Sequence, residues 1–334
     1  MQAIQILTTG GPEVLTLTTL PDPAPALGQA LIRVEASGVN FIDTYFREGR
    51  YPAQLPYTLG QEAAGTVVAV SPYVVPPEAA ANVSSIQPGD RVAWCGTPNV
   101  GGTYATLALA PIDRLIKIPD GITTVEAAAA ILQGMTAHYL LHSTFVPQRG
   151  DKVLIHAGAG GTGLLFIQLA KELGLHVITT VSTQAKAAIA RTAGADDVIF
   201  YTEEDLVSRV KEITNGALLP VVYDSVGKST FEHSLHCLRP GGTLVLFGGA
   251  SGPVPPFDLI RLSTLGSLYI TRPTLKDYII TRESLVERAT RIFNGIADGS
   301  LKVRIDHTYP LAEAAEAHRA LESRGTTGKL LLLP

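Results

Sequence analysis

Glycines at positions 158, 160 and 163 are the residues of this chain whose spacing most directly implies chemistry. They follow a short apolar run, 153–157, that reads as a buried strand, and precede a stretch at 164–173 with apolar residues at helical spacing. A strand, a G-x-G-x-x-G turn and a helix in that order place a pyrophosphate on a helix N-terminus. There the unpaired backbone N–H groups and the helix dipole both favour an anion. The glycines would serve three needs: a tight turn, backbone approach to phosphate oxygens, and close packing of helix on strand. Glycine turns between strand and helix also occur with no ligand, so the motif takes its meaning from its surroundings.

The elements around it supply that meaning. A helical pattern at 125–142 leads in, and strands read at 176–181, 197–201, 221–226, 243–248 and 267–271 alternate with helices at 183–193, 203–214 and 229–238. Six strands in this rhythm imply right-handed βαβ units and a Rossmann doubly wound parallel sheet, α/β in class. Its ligand lies beyond the C-terminal ends of the strands. Residues 1–120 differ in texture. Short β-type runs at 3–7, 30–36, 64–70 and 91–94 are punctuated by Pro, Gly and Asp, as in a barrel or partly open sheet. The stretch 71–87, with three prolines, reads as a long exposed loop. The tail reads as helices at 284–298 and 312–324 and strands at 302–306 and 329–333. A terminal strand so apolar needs burial and is expected to return to the first sheet. The expected organisation is a discontinuous catalytic domain, 1–124 plus 270–334, with a nucleotide domain, 125–269, inserted.

The second strand of the nucleotide domain selects the nucleotide. NAD sites carry an Asp or Glu about 20 residues past the glycines, bonded to the ribose 2′-hydroxyl. Here that strand runs Thr179-Thr180-Val181-Ser182-Thr183-Gln184-Ala185-Lys186, with hydroxyls and a lysine but no carboxylate. Such a set attracts a 2′-phosphate, which favours NADPH over NADH. Taken alone, Lys186 also reads as a solvated residue on a surface helix. Tyr201, at the end of the third strand, either stacks beside the adenosine or is a half-buried aromatic.

Composition narrows the class. The net charge of −4 and the lack of a basic stripe speak against nucleic acid as a partner. Mean hydropathy is positive, +0.23, yet every apolar run falls short of the roughly 18 residues of a membrane span. The N-terminus has neither a basic leader nor a small-residue cleavage site, so a soluble, cytoplasmic protein is expected. Cys95 and Cys237, the only cysteines, make neither a disulfide framework nor a cysteine-built zinc site.

Further segments carry a resemblance that runs nearly end to end: Gly10-Gly11-Pro12-Glu13-Val14-Leu15, Gly38-Val39-Asn40-Phe41-Ile42-Asp43-Thr44-Tyr45, Tyr51-Pro52, Leu59-Gly60-Gln61-Glu62-Ala63-Ala64-Gly65 and Gly89-Asp90-Arg91-Val92. The nucleotide half adds His156 to Gly163, Val222-Tyr223-Asp224-Ser225-Val226-Gly227 and Gly266-Ser267-Leu268-Tyr269, and the tail adds Leu321-Glu322-Ser323-Arg324. Together they resemble the zinc-free quinone oxidoreductases of the medium-chain dehydrogenase/reductase superfamily, the zeta-crystallin-like NADPH:quinone reductases, bacterial members especially. The resemblance implies a GroES-like catalytic domain around the Rossmann sheet. It implies that Asn40, Phe41, Ile42, Asp43 and Tyr45 line the nicotinamide end of the site, with Thr136 and Tyr139 as cofactor contacts. Gly161 and Thr162, with the three motif glycines, would meet the pyrophosphate. Ser182, Lys186, Tyr201 and Arg324 would take the 2′-phosphate and adenosine. Ser225 would lie beside the dinucleotide, and Gly248, Gly249 and Ser251 would face ribose and nicotinamide. Leu268, Tyr269 and Ile270 would pass the carboxamide. Arg324 also reads as a helix C-terminal arginine favoured by the dipole.

The departures from the wider superfamily shape the chemistry. Zinc alcohol dehydrogenases carry a Gly-His-Glu where this chain has Gly60-Gln61-Glu62, and an early Cys that the 40–43 segment lacks. Neither a catalytic nor a structural zinc set is present, so no metal is expected. Without a Lewis acid, alcohol–ketone redox is poorly supported. A quinone or activated enone is already electrophilic, so positioning against the nicotinamide and modest hydrogen bonding suffice. Candidate groups are the Asn40 amide, Asp43, and the Tyr45 and Tyr51 phenols. They read equally as turn-bonding and cleft-packing residues. Quinone reduction with NADPH is the first reading. A second is an NADPH-dependent enone or alkenal double-bond reductase, and a third is an NADPH-binding protein with a structural or RNA-binding role. A homodimer formed edge to edge through the strands at 243–248 and 267–271 is expected.

Overall fold

The structure is a computed structural model that describes residues 1–71, 86–96 and 102–334. Most of the loop expected at 71–87 lies outside the described residues. The backbone divides into two units, Met1–Met135 with Ile279–Pro334, and Thr136–Tyr278.

The first unit opens with β1 (Gln2–Ile6), which pairs antiparallel with β2 (Thr16–Thr19). The long strand β3 (Gln29–Val39) follows and runs straight into helix α1 (Phe41–Arg47). Next come β4 (Tyr57–Thr58), β5 (Glu62–Val70), β6 (Arg91–Cys95), β7 (Leu107–Pro111), β8 (Ile116–Lys117) and helix α2 (Thr124–Tyr139). Alternation of buried and half-exposed residues along β3 is what a sheet with one packed face requires, and Ile32, Val34 and Trp94 sit at its core. The sheet tightens at Gly65, where a Cβ would stand 2.0 Å from the Arg33 carbonyl oxygen.

The second unit is a six-stranded sheet built from β9 (Lys152–Ile155), β10 (His176–Val181), β11 (Asp197–Phe200), β12 (Leu219–Asp224), β13 (Leu238–Leu246) and β14 (Tyr269–Thr271). Helices α3 (Gly161–Glu172), α4 (Gln184–Thr192), α5 (Leu206–Ile213) and α6 (Phe231–His236) make the first four crossovers, while α7 (Ile260–Thr264) lies between β13 and β14 and α8 (Leu275–Tyr278) closes the unit. All its pairings are parallel and the order is β11-β10-β9-β12-β13-β14, the doubly wound Rossmann arrangement. Its central strands are buried on both faces, and Leu154, Ile178, Val222 and Leu244 are fully enclosed. The order reverses at β9 and β12, so the turn after β9 stands at the crevice where such sheets bind ligands.

The tail then supplies α9 (Arg282–Ala297), β15 (Ile305–Pro310), α10 (Ala314–Glu322) and β16 (Lys329–Leu333) to the first unit. Strand β16 lies between β15, parallel, and β3, antiparallel, with Leu330 opposite Val39 and Leu332 opposite Ser37. Leu330, Leu331 and Leu332 are at most 1% exposed, and each such burial contributes about 1.5–3 kcal/mol. The C-terminal residues therefore complete the sheet on which α1 is mounted. Leu331→Ala should lower the unfolding free energy by about 3 kcal/mol in urea titration. A loss below about 1 kcal/mol would mean that β16 is not held in the core.

Candidate functional site

The turn after β9 takes its shape from close approaches more than from glycine torsions. The left-handed residue is Ala157 (φ 56), which is why β9 stops at Ile155, short of the 157 read from the sequence. Gly158 is required because a Cβ there would stand 2.1 Å from Thr179 Oγ1. Gly163 is required because its Cβ would lie 2.4 Å from the Ala157 carbonyl oxygen. Gly160 meets nothing nearer than 3.3 Å, so its side-chain side is open in front of the first turn of α3, whose leading N–H groups have no intrahelical acceptors. An open Gly160 beside those donors fits a pyrophosphate.

A buried hydrogen-bond network anchors the turn from below. His156 bonds Thr180 Oγ1 through Nδ1 at 3.1 Å and Ser234 Oγ through Nε2 at 3.0 Å. Ser234 donates to Asp224 Oδ2 at 2.9 Å, so its oxygen must accept from His156, which places the ring proton on Nε2. Thr180 then donates to Nδ1 while its oxygen accepts the Ala157 N–H at 3.2 Å. Burial pushes the His156 pKa below its usual value, against the pull of Asp224, consistent with the neutral ring this pattern needs. Asp224 Oδ1 accepts from Val226 N and Gly227 N at 2.8 and 3.0 Å, fixing the loop after β12 that carries Ser225.

The sequence-predicted residues of this unit mostly gather at one edge of the sheet. The 158–163 turn, Ser182 and Lys186, Tyr201, Ser225, and Gly248, Gly249 and Ser251 follow the C-terminal ends of β9, β10, β11, β12 and β13 respectively. No carboxylate stands between β10 and α4. Thr183 instead accepts the Lys186 N–H at 3.3 Å and caps α4. Gly248 lets β13 approach β12, since a Cβ would lie 2.2 Å from the Ser225 oxygen. The Ser251 hydroxyl donates to Val226 O at 2.8 Å, tying the two loops together. Leu268, Tyr269 and Ile270 stand apart from this edge. Tyr269 and Ile270 open β14, level with Thr243 and Leu244 in the second half of β13; Leu268, just before the strand, is in the core and Tyr269 is exposed. Tyr139 is 1% exposed and stacks on Tyr278 with centroids 4.3 Å apart; Thr136 is half-buried.

In the first unit Asn40 is the pivot. It precedes α1 in extended conformation, and both ends of its amide are engaged. Nδ2 donates to Glu62 Oε1 at 2.7 Å, while Oδ1 accepts from Lys329 Nζ at 2.8 Å and Gln133 Nε2 at 3.2 Å. Lys329 and Glu62 form an ion pair, 1% and 0% exposed. The second Glu62 oxygen accepts the Leu132 N–H of α2 at 2.9 Å. Gly38 makes room for this carboxylate, since a Cβ would sit 2.1 Å from Oε1.

Behind this pivot lies a second buried chain. Arg47, chelated by Glu322 at 2.6 and 3.2 Å, bonds His318 Nδ1 at 3.0 Å. The other His318 nitrogen therefore carries its proton and donates to the Tyr104 hydroxyl at 3.2 Å, which donates to Asp43 Oδ2 at 3.1 Å. Asp43 Oδ2 also accepts the Asn40 N–H at 2.9 Å, whereas Oδ1 is buried with no hydrogen-bond partner. Burial raises the Asp43 carboxyl to about 7 against the opposing pull of the Asn40 N–H, Lys329 and Tyr104. Burial, aided by the Arg47 charge, lowers His318 to about 3.

Tyr45, 7% exposed, and the half-buried Tyr51 meet edge to face at 5.4 Å, with the Arg50 guanidinium 5.2 Å from the Tyr45 ring. Phe41 and Ile42 open α1, half-buried, and Arg324 follows α10 with φ 59. Sequence reasoning missed Lys329, Gln133, Tyr104, His318 and Arg47. Only Lys329 left a signal, a lone charge heading a strand too apolar to be exposed. Among the described residues no three His, Cys, Asp or Glu side chains are grouped to hold a metal ion, and no helix is long and apolar enough to cross a membrane.

The chain matches two family models, an alcohol dehydrogenase GroES-like domain over residues 26–120 and a zinc-binding dehydrogenase over residues 161–291. It is 46% identical to a quinone oxidoreductase of Pseudomonas aeruginosa over 99% of both chains. It is 41% identical to a 2-haloacrylate reductase of a Burkholderia species over 97% of this chain and 96% of the other. The solved structure of Escherichia coli quinone oxidoreductase complexed with NADPH superposes with a TM-score of 0.94 at 43% identity, covering all of both chains.

Asp43 and His318 make opposite contributions to stability between pH 4 and 6.5. The native state holds a proton on Asp43 that the unfolded state has released, so this group costs stability as pH rises. The unfolded state holds a proton on His318 that the native state excludes, so this group adds stability as pH rises. Asp43→Asn should therefore gain on the wild type as pH rises from 4 to 7, by up to about 1.4 kcal/mol per unit. His318→Gln should lose ground over pH 3 to 6.5. Denaturant unfolding across pH measures both; pH-independent differences would show that neither group is so perturbed.

Proposed function

The chain belongs to the zinc-free quinone oxidoreductase family of the medium-chain dehydrogenase/reductases, and from that premise we propose that it reduces quinones with NADPH. The observation that carries the cofactor choice is the loop after β10, which offers Ser182, Thr183 and Lys186 and no carboxylate. A ribose 2′-phosphate is attracted by such a set and repelled by the carboxylate of NAD sites. When bound, the nicotinamide supplies the hydride. The protein's own tasks are to hold the pyrophosphate on α3, to fix the loops of Ser225 and Ser251, and to give the acceptor a shaped, dry wall.

We assign that wall to the α1 segment. Tyr45 and Tyr51 border the acceptor with phenols, and Phe41 and Ile42 give it apolar surface. Asn40 and Asp43 hold the corner from behind, since both Asn40 amide atoms are already bonded and Asp43 is fully buried. Hydride transfer to a quinone produces a delocalised oxyanion, which needs positioning more than a Lewis acid. The likeness to a 2-haloacrylate reductase supports a second reading, reduction of an activated carbon–carbon double bond by the same hydride. For assembly, the edge strand β14 and the exposed Leu259, Ile260 and Tyr269 support a homodimer of this 35.3 kDa chain. Such an enzyme would work in the cytoplasm.

Steady-state NADPH oxidation with a panel of quinones and 2-haloacrylates separates the acceptor readings: quinones should be turned over with the higher kcat/KM. Preference for the haloacrylates would favour the second reading. Lys186→Ala should raise the KM for NADPH roughly tenfold, the worth of one charge-assisted hydrogen bond, and leave NADH kinetics within about twofold. Equal losses with both nucleotides would remove Lys186 from the 2′-phosphate site.

A further inference from the structure

The glycine turn pivots on a residue that is not glycine. The left-handed torsion of Ala157 (φ 56) costs free energy for any residue with a Cβ, and it persists only where the surroundings hold it. Both of its backbone polar groups are held. The Ala157 N–H donates to Thr180 Oγ1 at 3.2 Å, and the Ala157 carbonyl oxygen accepts the Gly160 N–H at 3.0 Å. The next amide, Gly158 N, donates to the Thr180 carbonyl oxygen at 3.3 Å. The direction of Ala157 therefore passes straight to Gly160, the residue that caps α3 and leads its first N–H groups.

Thr180 holds Ala157 only while its hydroxyl is turned the right way. A threonine hydroxyl rotates, and its one proton goes to whichever acceptor is near. Here the acceptor is His156 Nδ1 at 3.1 Å, which draws the proton to one side and leaves a lone pair for the Ala157 N–H. His156 is fixed in turn from its far side. Nε2 donates to Ser234, and Ser234, Thr230, Val226 N and Gly227 N are all gathered on Asp224. Ser251 extends the chain, donating to the Val226 carbonyl oxygen at 2.8 Å and accepting the Ser229 N–H at 3.0 Å. The imidazole is 2% exposed, so it acts on a ligand only through these neighbours.

We propose, on the dinucleotide reading of this turn, that His156 is a positioning residue for the cofactor. It acts through the Thr180 hydroxyl to hold Ala157, and with it the pyrophosphate turn, in the binding geometry. Its effect falls on the pyrophosphate and not on the 2′-phosphate, which separates it from Lys186. It is therefore blind to the difference between NADPH and NADH, and silent toward adenosine 2′-monophosphate, which carries no pyrophosphate. Asn and Gln divide the two bonds of the imidazole. Asn reaches as far as Nδ1 and can accept from Thr180, whereas Gln reaches as far as Nε2 and can donate to Ser234.

The test is calorimetric titration of the protein with NADPH, NADH and adenosine 2′-monophosphate, for the wild type, His156→Asn, His156→Gln and Thr180→Val. His156→Gln and Thr180→Val should each weaken NADPH and NADH by the same factor, about tenfold, with adenosine 2′-monophosphate within about twofold of the wild type. His156→Asn, which keeps the acceptor for Thr180, should bind both dinucleotides within about threefold of the wild type. Thr180→Val preserves the shape of its side chain, so it carries the test should a His156 variant fail to fold. Gln and Val variants that bind both dinucleotides as the wild type does, or that lose adenosine 2′-monophosphate in step with NADPH, would overturn the positioning role. So would an Asn variant no better than the Gln variant. A wild type that binds neither dinucleotide would bring down the reading of the turn, and the positioning role with it.

Discussion

A single buried ion pair, Lys329 with Glu62, governs the construction of the first unit. Burying two charges costs several kcal/mol each, and their attraction repays that only when geometry is good and the remaining donors and acceptors are satisfied. Both conditions are met here. Glu62 takes the Leu132 N–H and the Asn40 amide, Lys329 takes the Asn40 carbonyl oxygen, and Gln133 closes the ring. The pair thereby joins β16, β5, α2 and the β3–α1 junction at one point. Gly38 is small because this carboxylate occupies the space where its Cβ would be.

The second unit meets its own demand with hydrogen bonds gathered on one carboxylate, Asp224. The His156–Thr180–Ser234–Asp224 network sets the height of the 157–163 turn and the loop after β12 without an ion pair. The difference follows from what each unit must hold. A pyrophosphate brings its own charge to backbone N–H groups and a helix terminus, so the framework beneath it need only be rigid. On the proposed reading the α1 corner borders an acceptor on which charge appears only during reaction, and a fixed wall of amide, phenol and carboxyl groups suits that task.

The sequence made the second unit legible because each of its strands and helices has its own apolar period, and a parallel order follows from alternation. Boundaries shifted where side chains cap: α5 begins at Leu206, not at 203, because Asp205 caps it by accepting the Ser208 N–H. The glycine motif was placed correctly, but the left-handed residue proved to be Ala157, whose torsion no residue type announces. Helix α1 was invisible to periodicity, being seven residues long and defined by the cap at Asn40 and Asp43. The buried partners in the first unit come from positions 40, 62, 133, 318 and 329, and contacts at such separations leave no local pattern. Reading Asn40 as a candidate amide donor or a turn-bonding residue does not anticipate Lys329 for that reason.

The most direct test of this construction is a double-mutant cycle on the ion pair, read as unfolding free energy for Lys329→Met, Glu62→Gln and the double variant. Each single change strands a buried charge and should cost about 3–5 kcal/mol, while the double variant, with neither charge left, should lose much less than their sum. A coupling of about 3 kcal/mol or more is expected. Single losses that simply add in the double variant would contradict the claim that the corner is organised around this pair.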